Sequence, residues 1–247
     1  MKTLMERLPF AQVCVDEREE QAYLDAGVPS EKLILHAKTN NYPAAMNATL
    51  EAVTSEAVCI IDDDFQYIRS NVHPKPKVIR DPEFIRAVIE NGVNTLVDFG
   101  LPMYGWSNIA HPGLYSNCKP FNFVAPVAGG AVIHLGRKYK YDESSLRSDT
   151  DLTLQVLLRD RVTVTDQRFY WCFGGVGEGV GGMQGQRTQD TWNSDERKML
   201  AKWGRYVAFP DGAGATRFNK KEDGPATPGK TKGVSIRVNR KSDLAIK

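Results

Sequence analysis

The sequence predicts an α/β domain built on a mixed, mainly parallel sheet flanked by helices. Three observations predict it. The first 61 residues read strand, helix, strand, helix, strand, the alternation of a parallel-sheet unit. A well-punctuated helix starts at Asp81-Pro82. A third strand, AVCII, ends abruptly in the three acids of CIIDDDF, where an open α/β sheet keeps its ligands.

The elements follow in order. AQVCVDE (11–17) reads as a buried strand entering an acidic turn, and EREEQAYLDAG (17–27) as a short helix stopped by glycine. KLILHA (32–37) is the second strand. PAAMNATLEAV (43–53) spaces Met46, Leu50 and Val53 on one helical face behind Pro43. After AVCII (57–61), DPEFIRAVIENG (81–92) predicts a helix closed by Gly92, and NTLVDFG (94–100) a returning strand. Residues 101–121 are rich in Gly, Pro, Asn and aromatics without a period, so they predict a long loop. Residues 123–139 supply one or two strands. LRSDTDLTLQVLLRD (146–160) starts a helix capped by Ser148 or Asp149, and RVTVTDQRFYWCF (161–173) is a strand. Residues 174–188 form a glycine-dense loop, 194–209 a last helix opened by Ser194, and 233–241 a possible edge strand. The expected division is a domain over 1–209 and a basic extension over 210–247.

Composition excludes several classes. No apolar run approaches the roughly 18 residues that cross a bilayer, and MKTLMERLPF has no secretory h-region, so a cytoplasmic protein is expected. Cys14, Cys59, Cys118 and Cys172 lack CxxC spacing and the four histidines lack HxxxH spacing, which argues against a disulfide frame or structural zinc. Net charge is +2, but from Arg217 onward nine Lys/Arg face three Asp/Glu. Such an end is either a solvated tail or a hold on a polyanion.

Acids at a strand end suit a hard divalent cation, Mn²⁺ or Mg²⁺, which prefers carboxylate oxygen. Asp62 and Asp64, as alternate residues on a turn, can share one ion and so hold a diphosphate. The alternative is an acidic turn in water. Asp149 and Asp151 form a second acidic pair: either they favour a helix N-terminus or one serves as general base. The 174–188 loop, with Arg187, could wrap a phosphate-bearing ligand with backbone N–H groups, although it is neither a P-loop nor a Rossmann fingerprint.

Two blocks, NNYPAAMNATLEAVTSEAVCIIDDDF and GGAVIHLGRKYKYDESSLRSDTDLTLQVL, together resemble a GT-A-type glycosyltransferase (Rossmann-like), the first ending in a DxD-like motif. Within that superfamily the triple Asp, the SDTDLTLQVLLRD helix, the glycine-dense loop and LAKWGRYV look similar to the TET/JBP-associated glycosyltransferases. These include bacteriophage enzymes acting on hydroxymethylated pyrimidines, such as hydroxymethylcytosine, and relatives of the base J glucosyltransferase. The resemblance implies a nucleotide-sugar donor, a UDP-sugar, with Mn²⁺ or Mg²⁺ held by Asp62 and Asp64. It implies Asp149 as base in an inverting transfer, Asp151 as the motif's second acid, and Asp16 as a contact to the nucleoside. The implied acceptor is a base hydroxyl in DNA, single-stranded or flipped from a duplex, with Lys220, Lys221, Lys230, Lys232, Arg237, Arg240 and Lys241 tracking phosphates. The chain departs from the pattern at Met46, where many members carry Arg, and at Ser148, where an acid is usual. The same residues leave two other readings open: a GT-A enzyme with a glycan, protein or small-molecule acceptor, and a non-catalytic DNA-binding module.

Overall fold

A computed structural model describes residues 2–72, 77–107, 115–116, 118–123, 127, 130–174, 188–209, 218–219, 227–228 and 234–238. Helices pack on both faces of a mixed sheet of seven strands: β3 (Ala57–Ile61), β4 (Phe65–Ser70), β5 (Lys77–Ile79), β6 (Met103–Ser107), β7 (Phe121–Asn122), β8 (Ala131–Leu135) and β9 (Val164–Phe173). Their order is β3-β8-β6-β9-β4-β5, with β7 also on β9. Two further strands, β1 (Val13–Asp16) and β2 (Leu33–His36), pair in parallel as a separate ribbon. Near the C-terminus β10 (Val207–Ala208) pairs with β13 (Ser235–Ile236), inside the expected edge-strand segment, and β11 (Phe218–Asn219) with β12 (Thr227–Pro228).

The expected predominance of parallel pairing is corrected. Among the described residues of the large sheet only β6 and β9 run parallel; every other ladder is antiparallel. The reason is that β3 takes its ladder from β8, supplied about 70 residues later, and does not extend the β1–β2 ribbon. The connection from β3 to β4 decides the sheet's shape. Three strands separate them, so a flat sheet would hold them about 19 Å apart at ~4.8 Å per strand. Only Asp62, Asp63 and Asp64 join them, a reach of at most about 14 Å. The sheet must therefore curl. The acid turn stitches the curl shut: Asp62 N–H donates to Gly130 O at 2.9 Å, before β8, and Gly174 N–H donates to Asp64 O at 3.0 Å, after β9.

α1 (Lys2–Arg7) and α4 (Pro82–Phe99) lie on one face, over Phe65, Ile68, Tyr104, Trp106, Ile133 and Trp171. α3 (Tyr42–Ala52) and α5 (Ser148–Arg159) cover the other, where Met46, Leu50, Val58, Met103, Val132, Leu152 and Val156 pack. α2 (Glu20–Asp25) links β1 to β2. α6 (Gln189–Trp203) adds an outer layer through Leu154, Leu158, Met199 and Trp203.

Four boundaries move from their expected places. Gly92 does not end α4; it sits inside the helix because a Cβ there would lie 2.6 Å from Ile133 Cδ1, so the glycine permits close packing. The helix continues through 94–99, where a strand was expected, and stops at Gly100 in the left-handed region (φ 62°). The returning strand is instead β6, five buried residues inside the segment expected to be loop. α5 begins behind Arg147, with no side-chain cap from Ser148 or Asp149, and α6 begins behind Thr188, whose side chain and that of Thr191 form a reciprocal cap, six residues before Ser194.

Candidate active site

Asn41 caps α3 by accepting from Ala44 N–H at 2.9 Å, and Pro43 pre-sets its first turn. That start aims Tyr42 at the end of β3, where its hydroxyl donates to Asp62 Oδ1 at 2.7 Å. Asp62 is partly buried; Asp63 and Asp64 are exposed. Burial, with Asp64, Asp63 and Asp149 adding negative field against the Tyr42 bond, pushes the Asp62 carboxyl up to about 7. Asp64 is also raised, by burial and then by Asp63.

Asp149 comes to the same place from the first turn of α5. Its Oδ1 accepts from Thr150 N–H at 2.7 Å and Thr150 Oγ1 at 3.4 Å, while Oδ2 takes no hydrogen bond among the described residues. Burial raises its carboxyl above the ordinary range. Asp62 and Asp149 also act together on Tyr42 and on Tyr141, whose hydroxyls burial pushes upward. Tyr141 in turn meets His134 Nε2 at 3.0 Å. Burial, then Arg137, pushes His134 down to about 4, so its ring is neutral near pH 7. Asn47 fixes Tyr141 by pairing both amide atoms with its backbone, at 2.8 and 3.0 Å.

The remaining expected residues lie elsewhere or are occupied. Asp151 is fully buried, and α6 claims it: Oδ1 accepts from Trp203 Nε1 at 2.7 Å and Lys202 Nζ at 2.8 Å, Oδ2 from Gln155 at 2.8 Å. Asp16 closes on Arg18 through Nε at 2.7 Å and Nη2 at 2.6 Å, and takes Thr39 N–H at 3.1 Å. Those bonds hold its carboxyl well below the usual range. Arg187, the 174–188 loop beyond its ends, and the tail's Lys220, Lys221, Lys230, Lys232, Arg240 and Lys241 lie outside the described residues. Arg237 is described, its N–H donating to Tyr206 O at 2.7 Å.

Tyr42, Tyr141 and His134 were not singled out from sequence. The start of α3, NNYPAAMN, carried a usable signal for Tyr42, since a first-turn residue faces the strand end that follows the helix. Nothing local marks His134, which lies inside an apolar strand.

No family model, no curated protein and no solved structure matches the chain. The site therefore has to be read from its own chemistry. Among the described residues no group of three or more His, Cys, Asp or Glu side chains is arranged to hold a metal ion, and no helix is long and apolar enough to cross a membrane. Yet Asp62, Asp63, Asp64 and Asp149 have no ion pair among the described residues. Burial raises Asp62, Asp64 and Asp149; neighbouring acids add to the rise in Asp62 and Asp64, while the field of Arg147 pulls Asp149 the other way. An acidic cluster without an ion pair fits a divalent cation whose other ligands come from a bound phosphate or from water.

Proposed function

We propose that the protein is a metal-dependent glycosyltransferase that moves a sugar from a nucleotide-sugar, a UDP-sugar, to the hydroxyl of a hydroxymethylated pyrimidine in DNA. The observation that carries this reading is that Asp62 and Asp149, from elements about 90 residues apart, lie within each other's electrostatic reach and both bear on Tyr42 and Tyr141, with no ion pair to either among the described residues. Asp62 and Asp64 would hold Mn²⁺ or Mg²⁺. When bound, the ion supplies positive charge against the diphosphate as it departs.

The chain's own residues supply the rest. Asp149 Oδ2, which takes no hydrogen bond among the described residues, would accept from the acceptor hydroxyl, and a carboxylate raised by burial is a better base than an exposed one. It takes the hydroxyl proton as that oxygen bonds to the anomeric carbon; the bond from this carbon to the diphosphate oxygen breaks, and the sugar inverts. Thr150 holds Oδ1, which would leave Oδ2 for the acceptor. Tyr42 orients Asp62 and keeps one of its oxygens occupied. Asp151 serves the architecture and touches neither reactant in this reading.

Mass spectrometry of hydroxymethylated DNA, incubated with the protein, Mn²⁺ and a panel of nucleotide-sugars, tests the proposal. A hexose or pentose mass increment on the base, lost in Asp149→Asn, is the expected result. No increment with any donor overturns the reading; an increment on a glycan or a small molecule but not on DNA would keep the transfer and change the acceptor.

A further inference from the structure

β5, β4 and β9 end the sheet, and their residues alternate between its two faces. Ile68, Ile79 and Trp171 turn into the core beneath α4. On the opposite face the register sets Arg69 between Tyr170 on β9 and Val78 on β5. Tyr67 lies two residues before Arg69, and Arg80 follows β5 at its level. The Arg80 guanidinium sits 5.0 Å from the Tyr67 ring centre and that of Arg69 5.5 Å from it. Arg69 Nη2 also donates to Tyr67 Oη at 3.3 Å, while Arg69 Nε is buried with no hydrogen-bond partner.

Neither guanidinium has an ion pair among the described residues. The contrast with two other ring-stacked arginines is informative. Arg147 lies over Trp192 and Arg168 over Phe121, but each is held by carboxylates, Asp195 and Glu196 in one case and Asp166 in the other. Arg69 and Arg80 keep their charge unspent, beside two half-buried tyrosine rings.

We propose that this face is a docking strip for single-stranded nucleic acid, with Arg69 and Arg80 taking phosphates and Tyr67 and Tyr170 offering faces on which bases stack. A base-free polyanion has no use for the rings, and an acidic peptide none for their alternation with cations. The strip starts three residues beyond Asp64, about 10 Å along an extended strand, so a bound strand would run toward the acid turn. Its use as an acceptor track rests on the transferase reading above; binding itself does not.

Fluorescence anisotropy of a labelled 12-mer oligo-dT tests it, without metal or donor, at several salt concentrations and with heparin as competitor. The wild-type protein is expected to bind, more weakly as salt rises. Arg80→Glu, a change at an exposed residue, should weaken binding tenfold or more and reduce the salt dependence by about one phosphate. Tyr67→Leu should weaken oligo-dT while leaving heparin binding unchanged. No oligo-dT binding by the wild type, or equal binding by Arg80→Glu, overturns the strip. Equal loss of heparin and oligo-dT in Arg80→Glu, with none in Tyr67→Leu, overturns the nucleic-acid assignment in favour of a base-free polyanion. UDP binding with Mn²⁺, measured separately, reports on the transferase reading alone.

Discussion

Two acidic clusters draw on the segment 142–151, and they are built on opposite principles. Around α6 every buried charge has a partner. Arg147 bridges Asp195 at 3.1 Å and Glu196 at 2.7 Å, and Lys202 joins Asp151 to Asp142. Ser145 Oγ and Leu146 N–H complete Asp195 at 2.9 and 2.8 Å. At the acid turn, Asp62, Asp63, Asp64 and Asp149 have no ion pair among the described residues, and burial raises the carboxyls of Asp62, Asp64 and Asp149, with neighbouring acids adding to the rise in the first two. The first cluster gains from being closed. The second is costly in the free protein, and under the proposed reading a bound cation would offset that cost. Composition does not distinguish such clusters; the presence of partners does.

Substitutions can break this comparison, starting at the clasp. Arg147→Ala removes the guanidinium that bridges buried Asp195 and Glu196, and is expected to cost about 3–5 kcal/mol in urea unfolding. A cost near zero would mean the clasp is no more structural than the acid turn.

The next effect is a pH dependence. His134 is neutral in the fold with its ring pushed down to about 4, against about 6.5 when unfolded. Between those values the unfolded chain binds the extra proton. Stability present above pH 6.5 is therefore lost as pH falls toward 4, by roughly 3 kcal/mol in all. Denaturation midpoints over that range should show the slope in the wild type and a shallower one in His134→Gln.

Smaller still, Trp203→Phe removes one of the bonds to Asp151 Oδ1 and should cost about 1–2 kcal/mol, read as a lower thermal midpoint. Asp64→Asn should do least to stability, within about 0.5 kcal/mol or slightly favourable, since it removes repulsion at an exposed site. A loss as large as that in Trp203→Phe would place Asp64 among the structural acids.

The same contrast explains what could be read from the sequence. The helix spanning 43–53, the AVCII strand and its acids, and the α5 start near Ser148 all declare themselves locally, through periodicity and an abrupt charge. That Asp62 and Asp149 should serve one site was implied only by the family resemblance, since nothing local in either segment announces the other. Strand pairing was not legible. β3 finds β8 rather than β1, and the MYGWS segment is a central strand although its Gly and aromatics resemble loop composition. Gly92 shows the same limit, for its function depends on Ile133, some forty residues away. Asp151 and Asp149 are two residues apart on one helix and look equivalent. Only Trp203 and Lys202, more than fifty residues later, separate their roles.

The most direct measurement is calorimetry of UDP against the protein with and without Mn²⁺, in the wild type and in Asp64→Asn. Binding that requires the metal, and that Asp64→Asn abolishes while the fold remains intact, is the result this account expects. UDP binding that ignores Mn²⁺, or that survives Asp64→Asn unchanged, would contradict it.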